Sequence, residues 1–287
     1  MTITVLEPGS QTLIQDLGRP GYASMGVSRS GAFDRASLQR GNRILGNRPQ
    51  AAGLEVLAGG LRLGADADQV ICVTGAVGPL SVDGKPVHHE WPTILHSGQT
   101  LSLGMAVLGM RTYVTAQGGF DVTPVLGSHA ADTLSGIGPP PLAAGDRLAV
   151  GYVEGKPVGG EPVWGEPESR LGTGDLELGV TVGPHTDRFA PVALDALLQS
   201  RWMVSTESNR IGVRLDGPLL ERSRTEELPS APCLRGSLQV AANGQPIAFG
   251  PDHPVTGGYP VIAVINDADT DLLGQARPGQ GIRFRRN

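Results

Sequence analysis

The sequence predicts a mainly β protein built as a double barrel with a few short helices. Three observations carry that prediction. Most of the chain alternates with a period of two, and one unit of glycine turn plus short strand recurs three times. Glycine and proline number 42 and 23 of 287 residues while aromatics make up only 4%, so chain reversals are frequent. The 39% hydrophobic content is enough to fold, and the length favours about two domains.

The alternation is plain in three places. Val70, Cys72 and Thr74 face away from Ile71 and Val73; Leu101 and Leu103 flank Ser102; Val261, Ala263 and Ile265 alternate with Ile262 and Val264. The recurring unit starts at Gly98 (GQTLSL), Gly145 (GDRLAV) and Gly279 (GQGIRF), and the second and third copies would close the two halves of the chain. Between the halves, residues 154–174 are dense in Gly, Pro and Glu, which predicts domains at 1–155 and 175–287 with a linker at 156–174. Helices are predicted over Asp34 to Leu45, with Gly46 as its stop, and over Pro191 to Ser200, where Leu194, Leu197 and Leu198 form one stripe.

Several functions are excluded early. A net charge of -5 with no basic stripe argues against nucleic acid. Cys72 and Cys233 form no CxxC, so a disulfide or metal framework is not expected. The start MTITVLEPGSQ lacks a basic region followed by an apolar one, and no apolar run approaches the roughly 18 residues of a membrane helix. A soluble, cytoplasmic protein is therefore expected. Neither lysine, Lys85 or Lys156, is followed by Ser or Thr, so there is no Walker loop. The six histidines form no HExxH, and His88 and His89 are expected on opposite faces of a strand, which disfavours zinc. Asp267, Asp269 and Asp271 lack the glycine and terminal Glu of a calcium loop, and capping of a short helix is the expected use.

Four stretches could carry chemistry. In Gln11 to Asp34, the turns Gly18-Arg19-Pro20-Gly21 and Ser28-Arg29-Ser30-Gly31 can expose backbone N–H groups, and Arg19 offers a planar cationic fork to a carboxylate or phosphate. The alternative is a long loop pinned by an Asp16–Arg19 pair. Asn42 shares a helix face with Leu38 and Leu45, so its amide must be hydrogen-bonded, either to a loop carbonyl or to a ligand. Arg210 and Arg214 fall on one face of an alternating segment and could clamp an anion or form a solvated strand face. Asp252, Thr256 and Tyr259 sit in a loop that enters a strand, a common place for sites and also for plain turns.

The runs TLIQDLGRPGYASMGVSRSGAFD, GNRILGN, GGFDVTPVLGS, SNRIGVRLDGP, GSLQVAANGQPI and TGGYPVIAVI occur in that order, spanning about Val5 to Phe284. In them the chain closely resembles the biotin-dependent carboxyltransferase-like family. That family includes the C subunit of bacterial 5-oxoprolinase (the KipA type), allophanate hydrolase subunit 2 and the carboxyltransferase region of urea amidolyase. The resemblance implies tandem cyclophilin-like β-barrels. It also implies a protein that opens 5-oxoproline to glutamate at the cost of ATP, with or without Mg, alongside two partners: a KipI-like subunit (the B type) and a LamB/YcsF-like subunit (the A type).

By resemblance the family-typical positions are Asp16, Arg19, Ser30, Asp34, Asn42, Arg111, Arg210, Arg214, Gln239, Asp252, Thr256 and Tyr259. Asp34 and Asp252 are the implied proton-handling residues; the implied anion and substrate ligands are Arg19, Ser30, Asn42, Arg111, Arg210, Arg214, Gln239, Thr256 and Tyr259. Where relatives commonly read GSRST this chain has Gly127-Ser128-His129-Ala130-Ala131, a frequent SE is Ser230-Ala231, and a basic residue after GGYP is Val261. The first two changes remove a cation and a carboxylate. A covalent biotin site needs a lysine in an AMKM-like hairpin, and both lysines here precede proline, so biotin would have to arrive on another chain. The Ser-Ser-Lys context of amidase-type allophanate hydrolysis is absent too. Two other functions fit the same resemblance: a non-catalytic antagonist of a KipI-like kinase inhibitor, and carboxyl transfer from a separate biotin carrier.

Overall fold

A computed structural model describes residues 1–151, 171–224, 226 and 228–287. The chain divides into two compact units. The first comprises Met1–Arg19, Asp34–Asp132 and the described part of Gly136–Leu171; the second comprises Pro20–Phe33, Thr133–Ser135 and the described part of Gly172–Asn287. The predicted linker at 156–174 lies, as far as residue 170, outside the described residues.

The first unit runs β1 (Thr2–Pro8), β2 (Gln11–Gln15), α1 (Arg35–Ile44), β3 (Gly53–Leu57), β4 (Leu61–Ala65), β5 (Gln69–Val77), β6 (Leu80–Val82) and β7 (Lys85–Pro86). It continues with β8 (Thr93–Leu95), β9 (Thr100–Leu103), β10 (Leu108–Ala116), β11 (Phe120–Asp121) and β12 (Arg147–Val150). These strands form a seven-stranded sheet in the order β11-β12-β1-β4-β9-β6-β7 and a five-stranded sheet in the order β2-β3-β10-β5-β8. Alternation supplies the core: Ile3 and Val5 of β1, Leu61 and Leu63 of β4, and Leu101 and Leu103 of β9 join Leu54, Val56, Ile71, Val73 and Val114 from the second sheet. β5 is buried on both faces because α1 covers its outer side, where Val70 and Cys72 meet Ile44 and Leu45. His88 and His89 lie in the turn after β7 rather than in a strand, and the His89 ring bonds the Gly78 carbonyl at 2.9 Å.

The helix predicted over Asp34 to Leu45 is α1, ten residues long, with Asp34 as N-cap and Leu45 as C-cap. The Asp34 carboxylate accepts from the Ser37 amide at 3.0 Å and the Ser37 hydroxyl at 2.6 Å, and Gly46 takes φ +69 just beyond the helix. Leu38 is fully buried beneath the helix, a placement that stabilises it by about 1.5–3 kcal/mol.

The second unit runs β13 (Leu176–Val182), α2 (Ala193–Gln199), β14 (Trp202–Val204), β15 (Gly212–Asp216), β16 (Ala231–Pro232) and β17 (Ser237–Val240). It ends with β18 (Pro246–Phe249), β19 (Thr256–Gly257), β20 (Val261–Ile265), α3 (Asp267–Leu273) and β21 (Gly281–Arg286). Seven strands close into a barrel, β13-β20-β17-β18-β15-β14-β21, with β13 and β21 parallel at the seam. Closure leaves those strands without an open edge. Trp202 anchors the core and donates its indole N–H to the Leu197 carbonyl of α2 at 3.0 Å, so its one polar group is satisfied. Phe33 joins this core from Pro20–Phe33.

All three copies of the recurring unit are strands entered from a glycine of positive φ: Gly98 (+83) leads to β9, Gly145 (+95) to β12 and Gly279 (+81) to β21. α2 fills most of the segment predicted as the second helix. α3 explains the three aspartates: Asp267 and Asp271, one turn apart, both pair with Arg235, at 2.9 and 2.6 Å, while Asp269 accepts from the Gly179 amide at 2.7 Å. No described helix is long and apolar enough to cross a membrane.

Candidate functional site

In the first unit the polar centre lies just after β2. Asp16 does not pair with Arg19. Its carboxylate accepts from the Gly18 amide (2.7 Å), the Ser128 hydroxyl (2.6 Å) and the His129 amide (2.7 Å), which ties the β2 exit to residues 128–130. Arg19 is only 1% exposed and donates from Nη2 to the Ala130 carbonyl. Its Nε and Nη1 are buried with no acceptor among the described residues, and Gln15 Oε1 likewise has no donor among them. Gln15 spends its Nε2 on the Ala131 carbonyl at 2.8 Å. A buried guanidinium with unmet donors is costly, by about 1–3 kcal/mol per group, so this arrangement is suited to an anion or ordered water that accepts from Arg19.

Deeper in the same unit a chain of buried polar groups joins Asp34 to Arg111. The Asp34 amide donates to the Tyr113 hydroxyl at 2.8 Å, Tyr113 donates to Glu55 at 2.8 Å, and Arg111 Nε lies 3.4 Å from the other Glu55 oxygen. Tyr113 and Glu55 are cross-strand neighbours on β10 and β3. Burial, followed by the charges of Glu55 and Asp34, pushes the Tyr113 hydroxyl well above its ordinary value, so it stays a neutral donor. Asn42 bonds the loop after α1, donating to the Ala51 carbonyl at 2.8 Å and accepting from Asn47 at 3.0 Å. Of the two uses the sequence allowed, the bond to a loop carbonyl is present.

In the second unit Asp252 is the hub. It is 0% exposed and takes two bonds from Arg210 (2.8 and 3.0 Å), one from Ser30 (2.6 Å), and two from the Thr133 amide and hydroxyl (2.9 and 2.7 Å). Arg210 also donates to the Gly31 carbonyl at 2.6 Å. Burial would raise the Asp252 carboxyl, but the Arg210 charge and the bonds from Arg210, Ser30 and Thr133 outweigh it and hold it below the usual carboxylate range. An ionised carboxylate so fully engaged is a weak proton acceptor; it fastens the Ser30-Gly31 turn and residue 133 to the barrel. Asp34 is likewise occupied as a helix cap.

The remaining positions sit on or beside the barrel strands. Arg214, on β15, is half exposed and faces Glu207 at 3.7 Å, so it and Arg210 have different carboxylate partners. Gln239, on β17, donates to the Tyr259 carbonyl at 3.0 Å. Thr256 belongs to β19, which pairs with β16, and Tyr259 is exposed. Sequence reasoning did not single out Glu55, Tyr113, Ser128 or Thr133. For Glu55 a clue existed, a lone carboxylate within the apolar run Gly53 to Leu57; for Thr133 the sequence holds none.

Residues 25–286 match the family described as carboxyltransferase domain, subdomain A and B. The chain belongs to this family. Among proteins that share the carboxyltransferase domain, the C subunit of 5-oxoprolinase from Escherichia coli is 36% identical over 98% of this chain and 90% of that protein. Urea amidolyase of Saccharomyces cerevisiae is 33% identical over 98% of this chain but only 16% of its own length. The crystal structure of Kluyveromyces lactis urea amidolyase superposes with a TM-score of 0.91 at 28% identity, covering 99% of this chain and 18% of that one. The mainly β class with a few short helices expected from the sequence is thus the one observed; of the two expected barrels, the second unit is a closed seven-stranded barrel and the first is built from a seven-stranded and a five-stranded sheet around one core.

Proposed function

We propose that the chain is the C-type component of an ATP-dependent 5-oxoprolinase, acting with a KipI-like B-type partner and a LamB/YcsF-like A-type partner to open 5-oxoproline to glutamate. The observation that carries this reading is the match to the C subunit of 5-oxoprolinase over 90% of that protein, against 16% for urea amidolyase. In the reaction the γ-phosphoryl group of ATP moves to the lactam oxygen and ADP leaves. Water adds at the activated carbon, the C–N bond breaks as the nitrogen takes a proton, and hydrolysis of the resulting acyl phosphate yields the second carboxylate and phosphate.

The role that this chain's geometry supports best is anion stabilisation by Arg19, whose Nε and Nη1 have no acceptor among the described residues. The half-exposed Arg214 is the second candidate cation. Asp34 and Asp252 are proposed as positioning residues, with the proton handled by water or by a partner protein. ATP is a substrate in this scheme, and any accompanying Mg is assigned to its phosphates and the partner proteins, since no three metal-ligating side chains cluster among the described residues.

The test is turnover by the assembled complex. Arg19→Gln or Arg214→Ala is expected to leave assembly intact by size-exclusion chromatography and to lower 5-oxoproline-dependent ATP turnover about 100-fold. Wild-type turnover in both variants would remove these arginines from the reaction. Assembly of the wild-type chain with its KipI-like partner, but no 5-oxoproline-dependent ATP turnover when the A-type partner is added, would favour the antagonist reading.

A further inference from the structure

A polar cavity lies within the first unit, lined by Gly46, Asn47, Arg48, Gln50, Ala51, Gly118 and His129, none of them among the positions discussed as anion ligands. Its volume is about 420 Å³, within the range of small-molecule sites. Its walls are fixed by bonds that do not depend on a ligand. The Asn47 amide donates to the Ala116 carbonyl (2.8 Å) and to Asn42 (3.0 Å) and accepts from the Gly118 amide (2.8 Å), while Asp16 holds the His129 amide.

The chemistry of the lining is asymmetric. No Asp or Glu is among these residues. The exposed Arg48 side chain has no ion-pair or hydrogen-bond partner among the described residues. His129 Nδ1 lies 2.8 Å from the Val122 carbonyl, which can only accept, so Nδ1 is the donor, and in the Nδ1–H tautomer Nε2 is an acceptor. Gln50 adds an exposed amide. One planar cation beside one imidazole acceptor matches a singly charged carboxylate that also carries an N–H or O–H. A doubly charged phosphate would be only half neutralised.

We propose that this cavity is a binding site for a small monocarboxylate bearing an adjacent hydrogen-bond donor, such as a hydroxy acid or an amide acid. The site stands independently of the reaction proposed above. The test is a ¹H–¹⁵N chemical-shift titration of the full chain with glycolate, acetate and inorganic phosphate. Glycolate is expected to give saturable shifts at the Gly46, Gly118 and His129 amides, with acetate at least about threefold weaker and phosphate weaker than glycolate. Arg48→Gln should weaken glycolate at least about tenfold. His129→Phe should erase the preference for glycolate over acetate. Absence of saturable shifts, unchanged affinity in Arg48→Gln, tighter binding of phosphate, or an unchanged preference in His129→Phe would each overturn the assignment.

Discussion

Replacing Arg210 by Ala probes the buried Asp252 centre of the second unit. The change removes two charge-assisted bonds to Asp252 and one to the Gly31 carbonyl, and leaves a carboxylate of zero exposure with Ser30 and Thr133 as its donors among the described residues. Breaking a buried pair from one side costs about 3–5 kcal/mol, because the remaining charge has lost its partner without regaining water. Urea denaturation at pH 7, followed by far-UV circular dichroism, should show the midpoint fall accordingly. Arg210→Ala/Asp252→Ala should cost less than the sum of the single changes, since no uncompensated charge remains.

The pH dependence follows from the direction of the Asp252 shift. With its folded value below the unfolded value of about 3.9, its contribution is fully present above that pH and is lost as pH falls through the folded value. The wild-type advantage over Arg210→Ala should therefore be largest near neutral pH and shrink as pH falls, because burial raises the unpartnered Asp252 carboxyl of the variant and protonation relieves it while the wild-type carboxylate is still ionised. A loss under about 1 kcal/mol at pH 7 would refute the reasoning, because losses that small are typical of solvated pairs.

Two further outcomes follow from the first unit. Tyr113→Phe removes the hydroxyl that accepts from the Asp34 amide and donates to Glu55, so two buried hydrogen bonds are lost, and should cost about 1–3 kcal/mol by the same denaturation assay. Cys72 is fully buried, and burial foremost, with the Glu90 charge behind it, pushes its thiol up to about 12. Iodoacetamide at pH 8 should leave Cys72 unmodified in the native chain and label it after unfolding, as read by peptide mass spectrometry; rapid native labelling would contradict the packing of α1 on β5.

The fold was legible where local chemistry and pattern agree. The turn glycines Gly98, Gly145 and Gly279 could be read because a positive φ followed by alternation has few other structural meanings, and Gly46 after Leu45 marks a helix end for the same reason. α3 was visible only as a possible capping segment, since seven residues with three aspartates make a weak apolar stripe. Membership of Pro20–Phe33 in the second unit could not be read, because it rests on Phe33 in the barrel core and on bonds from Ser30 to a residue 222 positions away. The candidate site divided similarly. Arg19 could be singled out as a cation among turn glycines, but its burial, and the transfer of Asp16 to Ser128 and His129, depend on residues more than a hundred positions downstream.

Reconstitution tests the central functional claim most directly: glutamate and ADP are measured together while the chain, its KipI-like partner and its LamB/YcsF-like partner are supplied or withheld in turn. Equimolar glutamate and ADP, formed from 5-oxoproline only when all three are present, is the expected result. Undiminished glutamate formation without this chain, or no 5-oxoproline-dependent ADP release with all three, would contradict it.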